Sequence, residues 1–190
     1  MLDSLSGAIG RISSEVMLFT SRRSHGEVTD LVIDHELKGV TPEMLDWWWD
    51  NINSIERYQH WHPRSHMAFK WEHKSDGHVG TVHKVTEKIG VLPTTLRIRW
   101  EDPNSVSITR VYEHANVGTT LDKANQPISW LMHQYESMPG GTRMRSTFRL
   151  PAKTPGWFLK DLKKHNIEEM WQFPLFLPAL YADRNSSVTG

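Results

Sequence analysis

From His66 to Leu150 the apolar residues of this chain return at every second position, and from Pro155 they return at every third and fourth. That order commits the chain to a set of antiparallel strands followed by a helix with one apolar stripe. Both surfaces are buried at once if a curved sheet wraps around the helix, an α+β architecture. Strands are predicted over His66–Glu72, Val79–Ile89, Thr94–Glu101, Ser105–His114, Ile128–Ser137 and Thr142–Leu150. Ser75-Asp76-Gly77, Asp102-Pro103-Asn104 and Pro139-Gly140-Gly141 mark turns between them, and Asp30–Leu37 reads as a further short strand.

Three helices frame the strands. Thr41 suits an N-cap and Pro42 the first helical position, with Glu43 and Asp46 at the positive end and Met44, Leu45, Trp48 and Ile52 on the apolar face. The C-terminal helix is predicted over Pro155–Trp171, after which Pro174 and Pro178 should break or kink the chain. At the other end, Leu2, Leu5, Ile9, Ile12, Val16 and Phe19 recur at helical spacing, and Ser21–Thr29 reads as a polar loop. At 190 residues the chain fits one domain. The expected organisation is an N-terminal amphipathic helix and loop over 1–29, the α+β domain over 30–182, and a frayed tail over 183–190. The N-terminal helix needs a second surface, either its own core or another subunit, so a homodimer through that helix is one expectation.

Charge excludes several partners. Lysine plus arginine (22) equals aspartate plus glutamate (22), with no basic run, so neither nucleic acid nor an anionic membrane is expected as a partner. No segment has the length of a membrane span, and no signal peptide is apparent. Cysteine is absent, which removes disulfides, thiolate metal sites and a cysteine nucleophile together. These features lead to the expectation of a cytoplasmic protein.

The chemistry lies where polar residues break the apolar phase. His165 and Glu169 are one turn apart on the row that continues Phe158 and Leu162, while Lys160, Lys164 and Glu168 fall on the opposite face. On Val79–Ile89, His83 and Glu87 share the side of Val85 and Ile89. Two inward carboxylates repel unless a cation or a shared proton lies between them. A divalent metal answers both and recruits His165; imidazole with carboxylate suits zinc, with manganese or iron as alternatives. A fourth donor comes from the segment carrying His60, His62 and His66. Pro63 restricts His62 to non-helical geometry, which favours His62 as the ligand, with His66 at the start of the strand as its alternative. Spacing alone fits a hydrogen-bonded His165–Glu169 pair equally well.

Gly39-Val40-Thr41-Pro42-Glu43-Met44-Leu45-Asp46-Trp47-Trp48, Arg57-Tyr58, Trp61-His62-Pro63, Glu87-Lys88-Ile89-Gly90, His133 with Pro139-Gly140-Gly141, and His165-x-x-x-Glu169 with Phe176-Leu177-Pro178 together resemble the 2,4-diacetylphloroglucinol hydrolase and phloretin hydrolase family. The resemblance runs from Glu36 to Ala182. It implies a START-like helix-grip fold with a cavity between sheet and C-terminal helix. It also implies one zinc ion per chain, held by His62 (or His66), Glu87, His165 and Glu169. The implied reaction is hydrolysis of the carbon–carbon bond between an acyl group and a phenolic ring. Within that reading His133 is the first candidate acid–base group, with Tyr58 or Tyr135 behind it, and Ser65, Trp48 and Tyr135 are candidate contacts to a small aromatic substrate. Two other readings share the fold: a non-catalytic carrier of a hydrophobic aromatic or polyketide ligand, and a polyketide cyclase or aromatase.

Overall fold

The computed structural model describes residues 17–75 and 77–184. Seven strands form one antiparallel sheet: β1 (Val28–Lys38), β2 (His66–His73), β3 (Val82–Ile89), β4 (Leu92–Glu101), β5 (His114–Leu121), β6 (Pro127–Met138) and β7 (Gly141–Pro151). Their order across the sheet is β1-β7-β6-β5-β4-β3-β2. The two edge strands are thus successive strands of the chain. Two short helices, α1 (Pro42–Asn51) and α2 (Ile55–Trp61), carry the chain from one edge to the other, and the long α3 (Gly156–Ala182) packs against β1, β3 and both of them.

α1 forms as its sequence dictates. Thr41 accepts a hydrogen bond from Met44 N, Pro42 opens the helix, and Leu45, Trp48 and Trp49 are buried. Trp48 sits edge-on to Phe173 and Phe176 of α3, which ties the two helices together. That contact explains why α3 outlasts its prolines. Each proline removes one hydrogen bond to the carbonyl four residues back, yet the helix continues to Ala182 because Phe173 and Leu177 are fully buried in the cluster that holds Trp48. The expected break at Pro174 and Pro178 does not occur.

Three other local expectations change. The strand expected over Ser105–His114 is a loop as far as Glu113, and β5 begins only at His114. Its backbone is satisfied by side chains instead of a neighbouring strand: Gln134 accepts from Val111 N and Tyr112 N and donates to Thr109 O, and Arg149 donates to Ser107 O. The loop lays Ile108 on Val117 and Met132, so β5 is buried on both faces and its sequence does not alternate. Residues 17–24 are helical, so the polar loop expected from Ser21 starts four residues later. Thr20 and Ser24 return their hydroxyls to Met17 O and Thr20 O, and the left-handed His25 (φ 49°) and Gly26 (φ 84°) end the helix. Finally, α2 forms where only a junction was expected, capped by Ser54, which accepts from Arg57 N.

Leu2, Leu5, Ile9, Ile12 and Val16 of the expected N-terminal helix, and the tail beyond Arg184, lie outside the described residues. Met17, the first described residue, is buried with Phe158 and Leu162 of the chain's own core. No helix among the described residues is long and apolar enough to cross a membrane.

Candidate metal centre

Two strands and one helix supply the site. His66 and Glu87 are partners in the β2–β3 ladder, and a bulge follows His66, since the next pair is Ala68 with Thr86. The extra residue, Met67, is turned out to 47% exposure, whereas His66 is 1% exposed and Phe69 and Trp71 regain the inner side. On β3 the inward set is His83, Val85, Glu87 and Ile89, all buried, as the alternation predicts. On α3, His165 and Glu169 are 4% and 5% exposed in line with Phe158 and Leu162.

These side chains converge. His66 Nε2 lies 3.1 Å from Glu169 Oε1, and His165 Nε2 lies 3.4 Å from the same oxygen and 3.6 Å from Glu87 Oε2. His66 Nδ1 donates to Tyr58 O at 2.7 Å, so in the neutral ring Nε2 keeps its lone pair. A lone pair facing a carboxylate oxygen needs a cation between them. His165 Nε2 is buried without a hydrogen-bond partner. Tetrahedral ligation at 2.0–2.1 Å separates donor atoms by roughly 3.3 Å, and among the described residues His66, His165 and Glu169 form a buried group whose donor atoms fit a metal ion. Glu87 is within reach of that group, and its other oxygen accepts from the Tyr58 hydroxyl.

Without a metal, protons must take its place. Burial opposes charging of His165, but the Glu169 and Glu87 carboxylates outweigh it and hold the imidazole up at about 10. Burial likewise pushes both glutamates up, and His165 with His66 overrides it, so each stays below the ordinary carboxylate range. Burial and the charge of Glu87 push the Tyr58 hydroxyl well up, keeping it a donor.

Beside the group is an apolar inner cavity of about 70 Å³, whose walls include Tyr58, Trp61, Trp100, Trp130, His133 and Met17. A phenolic ring needs more room, since an engineered cavity that admits benzene measures about 150 Å³. Its walls must move to admit one, and Met17 is the unbranched, adaptable side chain among them. On the other side of His165 opens a polar outer cleft of about 760 Å³, lined by His62, Ser65, Arg64, Lys88, Lys164 and Glu168. His165 belongs to both.

Residues 28–155 match the family described as DAPG hydrolase PhiG domain. The chain belongs to that family. The match ends one residue before α3, so it contains His66 and Glu87 but not His165 and Glu169. Phloretin hydrolase of Eubacterium ramulus is 24% identical over 186 residues, covering 80% of this chain and 66% of that protein. The chain therefore spans just under two thirds of the length of that curated relative. Two solved structures share the fold at low identity: Ara h 8.0201 (TM-score 0.58, 14% identity, 80% of this chain and 99% of that one) and ginseng major latex-like protein 151 from Panax ginseng (TM-score 0.59, 7% identity, the same coverage). The expected START-like helix-grip fold is the observed one.

In this DAPG hydrolase-family chain the residues singled out in the sequence divide. Glu87, His165, Glu169 and Tyr58 meet at one point, and the bulge brings His66 to it. His62 stays outside the group: its Nε2 faces Glu168 Oε2 at 3.3 Å in the outer cleft, and its ring stacks on His165. His133 lines the inner cavity, stacked on Trp49. Ser65 lines the outer cleft. Trp48 is packed wholly in the core, and the Tyr135 hydroxyl is engaged with Asp46 and Trp49, so neither lines the inner cavity. Sequence reasoning missed His35, Ser146 and Asn166, which are linked by hydrogen bonds to His133 and Glu169. The signal was present: His35 shares a side with Ile33 and Leu37, and Ser146 with Met144 and Phe148.

Proposed function

We propose that this chain is a zinc-dependent hydrolase that cleaves the carbon–carbon bond between an acyl group and a phenolic, phloroglucinol-like ring. The observation that carries the reading is the convergence of His66 Nε2, His165 Nε2 and Glu169 Oε1, with Glu87 beside them, at the wall of an apolar cavity. Membership of the DAPG hydrolase family and likeness to phloretin hydrolase support it. His66, His165, Glu169 and Glu87 hold the zinc, His66 taking the place that Pro63 suggested for His62. When bound, zinc acts as a Lewis acid toward the acyl carbonyl and activates water.

The chain's own residues do the rest. The inner cavity binds the apolar part of the substrate and excludes bulk water from the bond to be broken. Water contributes hydroxyl to the acyl carbon and a proton to the system, and His133 delivers a proton to the departing ring carbon. Tyr58 holds Glu87 in place through its hydroxyl. The products are a carboxylic acid and the deacylated phenol.

The test is product analysis with 2,4-diacetylphloroglucinol and phloretin, using protein of measured zinc content. Acid and deacylated phenol formed only by zinc-loaded protein support the reading. A zinc-free protein that binds these compounds unchanged overturns it in favour of a carrier.

A further inference from the structure

Polar side chains alone connect the cavity wall to the carboxylate of Glu169. His133 Nδ1 lies 2.9 Å from Ser146 Oγ, which lies 3.3 Å from His35 Nε2. His35 Nε2 is 3.0 Å from Asn166 Oδ1, and Asn166 Nδ2 donates to Glu169 Oε2 at 3.5 Å. Ser146 and Asn166 are fully buried and His133 nearly so, which makes them one another's partners in place of water.

The proton positions follow from one end. A carboxylate only accepts, so Asn166 turns its amide nitrogen to Glu169 and its oxygen to His35. An amide oxygen also only accepts, so His35 Nε2 carries a proton whether that ring is neutral or charged. Ser146 Oγ, beside that N–H, receives it on a lone pair. The single hydroxyl proton of Ser146 is then directed at His133 Nδ1. A ring nitrogen that accepts has no proton of its own, and burial keeps the His133 ring neutral by holding its pKa down at about 4.

We propose that Asn166, His35 and Ser146 are positioning residues which, anchored on Glu169, fix His133 as the Nε2–H tautomer, so that the cavity meets an N–H donor instead of a base. Use of that proton in catalysis rests on the hydrolase reading; the tautomer does not. In the hydrolase, the electron pair of the broken acyl–aryl bond stays with the ring carbon and takes the Nε2 proton. The proton given up by the attacking water is taken up at Nε2 in turn, so each turnover ends with the Nε2–H tautomer restored. The ring is neutral before and after the step, and the Ser146 hydroxyl holds Nδ1 throughout.

The test is histidine 15N NMR of zinc-free and zinc-loaded protein near pH 7, which reads protonation and hydrogen bonding at each ring nitrogen. His133 is expected as Nε2–H with a hydrogen-bonded, unprotonated Nδ1 in both forms. Ser146→Ala removes the Nδ1 hydrogen-bond signature and Ser146→Thr restores it. His35→Phe, two links away, frees the Ser146 hydroxyl and introduces a measurable Nδ1–H population. A wild-type Nδ1–H ring, or a His133 signal identical in wild type, Ser146→Ala and His35→Phe, overturns the proposal. These readouts stand without substrate, so failure of hydrolysis leaves them intact. Where the chain hydrolyses, Ser146→Ala lowers kcat about 10²-fold with KM and zinc content unchanged.

Discussion

His66 and Glu87 stand directly opposite each other in the β2–β3 ladder, and the bulge at Met67 is what lets both face the interior. A regular ladder through Met67 would put Phe69 and Trp71 on the side opposite His66. The metal group therefore depends on one extra residue in an edge strand, and the first prediction tests that geometry. His66→Ala and Glu169→Ala are expected to purify without stoichiometric zinc, whereas His62→Ala keeps it, because His62 Nε2 is turned to Glu168 in the outer cleft. Elemental analysis of the three variants decides; zinc lost from His62→Ala and kept in His66→Ala reverses the assignment.

Tyr58 reaches the same group without joining it. Its hydroxyl donates to Glu87 and its carbonyl accepts from His66 Nδ1, so one residue orients two candidate ligands. Tyr58→Phe removes the first contact and keeps the second. Zinc affinity is expected to fall about 10–100-fold, measured by competition with a chelator, with the folded structure retained. An unchanged affinity means that Glu87 does not bind the metal.

The pH dependence of the zinc-free protein has two limbs of opposite sign. Burial pushes His83 and His133 down to about 4, against 6.5 when exposed, so between these values the unfolded chain binds more protons than the folded one. Stability therefore falls as pH drops from 6.5 toward 4, each ring contributing up to about 1.4 kcal/mol per pH unit. His165 is the reverse case. Its folded pKa is raised to about 10 by Glu169 and Glu87 against the opposing effect of burial, so its contribution is complete below 6.5 and is lost as pH rises toward 10. Denaturant titrations at pH 4.5, 6.5 and 9 should give maximal stability at the middle value. Zinc, which requires a neutral His165, should abolish the alkaline limb, and an alkaline limb unchanged by zinc places the metal elsewhere.

Legibility in the sequence followed burial geometry. Where one face of an element is buried and the other wet, polarity reports orientation, and β3 and α3 revealed Glu87, His165 and Glu169 in this way. The signal fails for β5, whose two faces are both covered, and for Ser105–Val111, where an alternating loop finds its hydrogen bonds on Gln134 and Arg149. A bulge reverses the phase of a strand without changing its composition, so the alternation of β2 put His66 on the side opposite Phe69 and Trp71. His35 and Ser146 obey the same rule as Glu87 but carry no charge whose burial demands a partner, and nothing in their spacing joins them.

Tyr135 illustrates how a residue beside the site serves it from behind. Its hydroxyl donates to Asp46 Oδ1 at 2.6 Å and accepts from Trp49 Nε1 at 3.1 Å, and the Trp49 ring lies parallel to His133 with centroids 5.6 Å apart. Burial and the neighbouring Asp46 push the hydroxyl pKa up, so it remains a donor throughout the accessible pH range. Tyr135→Phe keeps the ring and leaves the Trp49 N–H buried without a partner, a loss of about 1–3 kcal/mol. The expected result is that loss of stability in denaturant with full zinc occupancy and an unchanged KM, because the hydroxyl points away from the inner cavity and toward α1. A raised KM at unchanged stability would instead assign Tyr135 to the substrate, since a hydroxyl that only anchors Trp49 acts on the cavity through the wall it holds.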